Sequence, residues 1–281
     1  MEPIPEWNKE VLLHSPCFAP LRPVTVQLTS EEFPTLQDCN ALLAARQPAI
    51  AVNSGQPLHF VPQEYGKLSF EAQYEPRCYL KGEVPTRENN WHDLFNALIW
   101  IVFPKAKAAI NRRHFLAQTG KSDPSIRSQR GAIRDTSTLL DESGVVVAYS
   151  DADMAELIRN FQWKELFWVR RKQVQASMGV YVFGHGLYEK LLSPYIGLTG
   201  QALLLPVEEV FFTWSQATQL EHLDALLAGY LNSEAHCRST RELTPLPLLG
   251  VPGWAADNED AGYYDNTEYF RSGRYGRAAG K

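Results

Sequence analysis

The sequence predicts an α+β fold: a predominantly helical single domain with a few short strands. Apolar residues recur at helical spacing in several segments, whereas β-branched and aromatic runs are short and do not alternate regularly with helices, as a doubly wound sheet requires. The 281 residues, 44% hydrophobic and 21% charged, suffice for a large core. We expect a Pro-rich N-terminal part (1–85), a central core (86–243) and an extended Pro-, Gly- and aromatic-rich C-terminal wrap (244–281).

The N-terminal part is predicted to contain one helix and two short strands. Apolar positions on one side indicate a helix within residues 30–46. Two short runs, Ile50–Val52 and Leu58–Val61, are typical of strands joined by a turn. Residues 68–79 are expected to be extended or weakly helical.

The segment Arg87–His114, RENNWHDLFNALIWIVFPKAKAAINRRH, is predicted to form two consecutive helices separated by a proline. The first helix is apolar almost all round and is therefore expected to be buried. Asn89, Asp93 and Asn96 fall on one of its faces, and His92 lies beside them. A polar group left without a partner in a core costs about 1–3 kcal/mol. This polar stripe is therefore either a structural network or a site, and the sequence leaves both open.

Downstream of the helix pair, the sequence predicts a loop and then a β-hairpin. The polar segment Asp123–Arg134 is predicted to be the loop. Ser137–Leu140 and Val145–Tyr149 flank an Asp-Glu-Ser-Gly turn signal and are predicted to pair. In this interpretation Asp141 and Glu142 are turn residues, which we prefer to a functional role.

The rest of the chain is predicted to combine helices with two buried strands. The expected helices lie at 151–163, 163–171, 186–192 and 215–231, and the strands at Val180–Phe183 and Ala202–Leu205. From Thr244 the aromatic-rich tail is expected to pack on the body, because aromatic side chains bury large areas. A partner-binding surface is the alternative, and Asp257–Asp265 could also supply a carboxylate to a pocket.

Composition excludes several classes of protein. The net charge of −5 indicates no general affinity for nucleic acid. Residues 105–134 carry eight basic residues against one acid; a solvated basic face is preferred there to an anion site. Four isolated cysteines argue against a zinc ribbon and a disulfide framework. The sequence shows no membrane-spanning run and no secretory signal, so we expect a cytoplasmic location.

The candidate site combines the polar stripe with the Gly-His-Gly turn near residue 185. Histidines with carboxylates can hold a hydrolytic metal ion or perform general acid–base chemistry. The candidate ligands of a divalent metal are His92, His185 and Glu189, the last two spaced four apart so that both can face one way. The candidate catalytic residues are His92, Asp93, His114, His185 and Glu189, and the candidate substrate-binding residues are Asn96, Arg113 and Arg134.

Three hypotheses about function follow. The leading one is a hydrolase-like enzyme, with or without metal, acting on a small anionic ligand that the basic residues hold. The alternative is a non-catalytic binding or scaffold protein whose polar stripe is a structural hydrogen-bond network. The third is a nucleic-acid-associated protein that uses the basic residues between Lys105 and Arg134. The substrate, the presence of a metal and the oligomeric state stay open.

Several segments together resemble a known family. They are the helix pair quoted above and, after it, RDTSTLLDESGVV, FGHGLYEKLLSPYIGLTGQALLL and PLPLLGVPGWAADNEDAGYYDNTEYFR. In this order they are similar to a bacterial family catalogued as a domain of unknown function, numbered three-zero-two-five. The resemblance covers nearly the whole chain and implies one family unit, which supports a single domain over two. It implies no activity, substrate or cofactor.

Overall fold

A computed structural model describes residues 6–120, 124–233 and 235–273, without the side chains of residues 124–130. Helices predominate over two small sheets, which confirms the predicted α+β class. The α-helices are α1 (Lys9–His14), α2 (Arg22–Thr25), α3 (Leu36–Ala44), α4 (Tyr74–Lys81), α5 (Trp91–Val102), α6 (Pro104–Thr119), α7 (Pro124–Ser143), α8 (Ala152–Arg159), α9 (Arg171–Ser177), α10 (His185–Leu191) and α11 (Gln216–Asn232). The strands are β1 (His59–Pro62), β2 (Glu83–Thr86), β3 (Gly144–Tyr149), β4 (Met178–Val182), β5 (Thr199–Pro206) and β6 (Thr244–Pro247).

The larger sheet has the order β4-β3-β5-β6, and its central strand β3 runs parallel to β5 and antiparallel to β4. Val145, Val146 and Val147 of β3 are fully buried. A strand covered on both faces reads as a continuous apolar run, and this run was the strand signal in the sequence. The strands predicted at 180–183 and 202–205 are confirmed as β4 and β5.

The N-terminal part follows its prediction except at its first strand. The helix within 30–46 is confirmed as α3, which Thr35 and Asp38 begin with a reciprocal capping box. Of the two predicted strands, only the second becomes a strand, β1, which pairs in parallel with β2. Around Ile50–Val52 there is a single bridge between Ala51 and Pro57. Residues 68–79 were predicted to be extended or weakly helical, and their second half lies in α4, which ends at a left-handed Gly82.

The loop predicted at 123–134 and the hairpin after it are wrong: α7 occupies both positions and leads directly into β3. The turn signal Asp-Glu-Ser-Gly is the last turn of this helix and the first residue of the strand. Gly144 permits the abrupt junction, because a Cβ there would collide with the carbonyl oxygen of Leu140. Leu140, Thr136 and Ser137 are fully buried, as a packed helix face requires. Asp141 and Glu142 are therefore helical residues.

The predicted central helix pair is confirmed as α5 and α6. Asn90 caps α5 by accepting from the backbone N–H of Asp93 at 3.0 Å. Helix α6 begins at Pro104, and its first free N–H groups meet a side chain from α11. The buried carboxylate of Asp224 accepts from the N–H groups of Lys105 at 3.1 Å and Ala106 at 2.9 Å. This contact fixes the start of α6 against α11.

The C-terminal segment wraps over the body, as predicted. The buried hydroxyls of Tyr264 and Tyr269 donate to the carbonyl oxygens of Gly250 and Leu198. In the acidic stretch, Asp265 pairs with Lys164, and Glu259 pairs with Arg171. These two carboxylates thus join the wrap to the central core, and among the described residues none of the stretch lines the cleft discussed below.

One cluster of buried side chains extends from Leu12 to Phe270, so that all parts of the described chain share a core. Within the described ranges, no helix has both the length and the apolarity needed to cross a membrane.

Replacing Asp224 with Ala is expected to lower the free energy of unfolding by about 1–3 kcal/mol, because two buried N–H groups at the start of α6 lose their acceptor. Asp224→Asn keeps one oxygen acceptor and should lose less. Urea denaturation of the three proteins measures this. Equal stability of the Ala variant and the wild type would contradict the capping role.

Burial raises the pKa of Asp224 from 3.8 to about 6. The hydrogen bonds from the N–H groups of Ala106 and Lys105 lower this pKa, but burial has the larger effect. The folded protein therefore binds this proton more tightly than the unfolded chain. The stability of the wild type relative to Asp224→Asn should be highest at low pH and fall as the pH rises from about 4 to about 6. Denaturation at a series of pH values tests the sign, and a difference that grows with pH would contradict it.

Candidate metal centre

An open cleft of about 390 Å³ lies where α4, α5, α6, α7 and α10 meet. Its volume is in the usual range of small-molecule sites. Polar and ionisable side chains dominate its wall. The lining residues are Gln63, Tyr74, Glu75, Pro85, His92, Asp93, Asn96, His114, Gln118, Thr138, Asp141, Glu142 and His185.

Two histidines and a glutamate converge at one end of the cleft. His92 comes from the first turn of α5, Glu142 from the last turn of α7 and His185 from the start of α10. One ligand atom of each lies within 4.8 Å of the others. The carboxylate oxygen Oε1 of Glu142 is 3.5 Å from Nε2 of His185 and 4.0 Å from Nε2 of His92. Both histidines thus direct the same ring nitrogen at the same oxygen.

The opposite ring nitrogen of each histidine faces a second carboxylate. Nδ1 of His92 lies 3.2 Å from Oε2 of Glu189. Nδ1 of His185 lies 3.7 Å from Oδ2 of Asp141 and has no hydrogen-bond partner among the described residues, although His185 is only 5% exposed. In metal sites, a carboxylate that accepts from one ring N–H of a histidine leaves the other nitrogen free to bind the ion. His92 has this arrangement with Glu189, whereas Asp141 faces Nδ1 of His185 beyond hydrogen-bond distance.

A buried lysine connects Asp141 to the rest of the site. Nζ of Lys107, in α6, donates to Oδ1 of Asp141 at 2.5 Å and to Oδ1 of Asn96 at 2.9 Å. The amide nitrogen of Asn96 in turn donates to the hydroxyl of Tyr74 at 2.7 Å. The Lys107 ammonium also lies 5.6 Å from the centre of the Trp100 ring. The chain of contacts joins α4, α5, α6 and α7 beneath the cleft.

Burial and charge set the ionisation of the site. Burial raises the pKa of Asp141, but the neighbouring Lys107 and His185 outweigh it and hold this pKa below its ordinary value. Burial lowers the pKa of His185 to about 4, so that the imidazole is neutral near pH 7, as a metal ligand must be. Burial also raises the pKa of Glu142, and it raises that of Glu75 to about 7.

The spacing of the cluster suits a tetrahedral metal ion. Two ligand atoms about 2.1 Å from a zinc ion at the tetrahedral angle are about 3.4 Å apart. The 3.5 Å between Glu142 and His185 matches this value, and the 4.0 Å between Glu142 and His92 is about half an ångström longer. Three protein ligands would leave a fourth coordination position for water or substrate. Without an ion, the same groups could transfer protons.

Of the predicted site residues, the structure brings five to the cleft wall. His92 and His185 lie in the cluster. Asp93 lines the cleft, but its carboxylate receives a bidentate pair from Arg87. His114 also lines the cleft, and burial lowers its pKa. Asn96 lines it as well, held by Lys107.

The other predicted residues lie elsewhere. Glu189 does not line the cleft, and its carboxylate contacts Nδ1 of His92, the ring nitrogen opposite the one that faces Glu142. The guanidinium of Arg113 donates to the carbonyl oxygens of Leu231 and Cys237, and Arg134 is exposed, 3.7 Å from Asp135. Neither arginine lines the cleft.

Sequence reasoning missed Glu142 as a candidate ligand and Asp141 as its neighbour, because both were interpreted as turn residues. Helical spacing was the available signal: Thr138, Asp141 and Glu142, three and four apart, all line the cleft. Lys107 was also missed. A lysine in an otherwise Ala- and Ile-rich helical face indicated a buried cation, which requires a carboxylate partner.

The fold and the cluster define an α+β protein with a candidate centre of two histidines and one carboxylate. The family model described as "Protein of unknown function (DUF3025)" matches residues 58–274, and the chain belongs to this family. No curated protein and no solved structure matches the chain.

Replacing Lys107 with Met should destabilise the protein by about 3–5 kcal/mol, since it leaves the buried carboxylate of Asp141 without its cation. Adding Asp141→Asn should recover part of the loss, because the unpaired charge is removed. Chemical denaturation of both single variants and the double variant gives the coupling energy. Additive effects of the two substitutions would contradict the pairing.

Proposed function

We propose that this protein is a metal-dependent hydrolase whose ion is held by His92, Glu142 and His185. The observation that supports this best is the convergence of both Nε2 atoms on one oxygen of Glu142. Each histidine also has a carboxylate behind it, Glu189 or Asp141, and a purely structural contact does not require this second feature. Catalytic zinc sites with three protein ligands include sets of two histidines and a glutamate.

The reaction class follows from what such an ion supplies. A bound divalent ion lowers the pKa of a coordinated water to near 7 and polarises the oxygen of a substrate carbonyl or phosphoryl group. The protein's own groups hold and orient the ligands. Glu189 contacts the His92 ring at 3.2 Å, Asp141 faces Nδ1 of His185 at 3.7 Å, and the Lys107 ammonium keeps Asp141 ionised. Thr138 and Gln118 offer hydrogen bonds to a polar ligand in the cleft.

The size of the cleft favours a small polar substrate. The anionic charge expected from the sequence stays a prediction. No Lys or Arg among the side chains that the structure describes lines the cleft. Lys121, Arg127 and Arg130, part of the basic stretch, lie outside those side chains.

The second candidate function is a non-catalytic binding or scaffold protein. The contacts of Lys107 with Asn96 and Asp141 favour it, since they satisfy part of the polar stripe within the protein. The nucleic-acid hypothesis draws less support, because Lys107 is buried and Arg113 binds backbone carbonyls.

Wild-type protein purified without a histidine tag should contain about one equivalent of a divalent metal by elemental mass spectrometry. His92→Ala, His185→Ala and Glu142→Gln should each remove it while the circular dichroism spectrum and the unfolding transition are retained. His59→Ala, which changes an exposed histidine on β1, is the matched control and should keep the metal.

The wild type is also incubated with Zn²⁺, Mn²⁺ or Fe²⁺ and then desalted. If it still binds no metal, the hydrolase proposal is contradicted. The side chain of His92 is 30% exposed, so its removal should cost little stability if it serves only as a metal ligand. Loss of folding in His92→Ala would therefore favour the structural network.

A further inference from the structure

The turn that carries His185 has a glycine on each side, and the two glycines face different parts of Glu142. A Cβ added at Gly184 would lie 2.6 Å from the backbone carbon and oxygen of Glu142 and 2.5 Å from the backbone nitrogen of Gly144. A Cβ added at Gly186 would lie 2.5 Å from Oε2 of Glu142. Gly184 therefore makes room for a main chain, whereas Gly186 makes room for a carboxylate.

The backbone at Gly186 gives no reason for a glycine. The residue lies in the first turn of α10, where alanine is a better helix former, and it does not adopt the left-handed conformation that favours glycine. Its other close neighbours are the carbonyl oxygen of Glu142 at 3.1 Å and Cε1 of His92 at 3.6 Å. The contact with the carbonyl oxygen requires a shift of a few tenths of an ångström, and the contact with His92 requires none. The severe collision is with the carboxylate alone.

We propose that Gly186 is a positioning residue for the metal centre: its missing side chain lets the carboxylate of Glu142 lie between His92 and His185. This inference rests on the proposed function. The carboxylate occupies the space that any larger residue at position 186 would fill, while its other oxygen faces the two histidines at 3.5 and 4.0 Å. A methyl group at this position rotates Glu142 away, and the ion loses its only anionic ligand of the three.

Gly186→Ala and Gly184→Ala test the inference as a matched pair, one residue on each side of His185. Zn²⁺ affinity is measured by calorimetry, metal coordination by the visible spectrum of the Co²⁺ form, and stability by thermal unfolding of the metal-free proteins. Gly186→Ala should bind Zn²⁺ at least tenfold more weakly and change the Co²⁺ spectrum, with its metal-free unfolding temperature unchanged or higher. Gly184→Ala should unfold at a clearly lower temperature, because it displaces main-chain atoms.

Two results would overturn the inference while leaving the metal centre intact. One is a Gly186→Ala protein with the Zn²⁺ affinity and Co²⁺ spectrum of the wild type. The other is a metal-free Gly186→Ala protein destabilised as much as Gly184→Ala, which would make the glycine a packing requirement. A wild type that binds neither Zn²⁺ nor Co²⁺ would instead reject the proposed function, and this inference with it.

Discussion

A buried ion pair between Lys107 and Asp141 joins α6 to α7, the helix that carries Glu142 of the candidate site. The pair lies under the cleft, with Lys107 on α6 and Asp141 one residue before Glu142 on α7. A buried charge is costly unless it is paired. A shift of the last turn of α7 would separate Asp141 from Lys107 and leave both charges unpaired, so the pair holds this turn against α6. The position of Glu142 against the histidines depends on this constraint.

The ion pair between Lys107 and Asp141 also connects the packed core to the candidate metal centre. Asp141 directs one oxygen at Lys107 and the other toward His185, so that the core and the metal centre share one carboxylate. Glu142, the next residue, has room beside α10 because Gly186 has no side chain. The centre is thus assembled from three helix ends, those of α5, α7 and α10, which packing holds in place. Sites built on such elements are more precise than sites on loops.

Much of this fold was predictable from the sequence, and what failed has a physical reason. The apolar run of α5, the proline that begins α6 and the short Val-rich β3 are local signals, and they identified the correct elements. Helix α7 was missed because its polar N-terminal half resembles a loop and its end, Asp-Glu-Ser-Gly, resembles a hairpin turn. Because α7 was not predicted, Asp141 and Glu142 were not placed on a helix that faces the cleft. His92 and His185, 93 residues apart in the chain, were paired by residue type, but their shared carboxylate depends on tertiary contacts that no local pattern contains.

The central claim is that an ion binds between the two Nε2 atoms and Glu142, and anomalous diffraction from crystals grown with Zn²⁺ tests it most directly. The account predicts one strong anomalous peak within about 2.0–2.2 Å of Nε2 of His92, Nε2 of His185 and a carboxylate oxygen of Glu142. It also predicts that Nδ1 of His185 moves into hydrogen-bond distance of Asp141. A peak elsewhere on the surface, or an empty cluster with Glu142 still 3.5 and 4.0 Å from the two histidines, would contradict it.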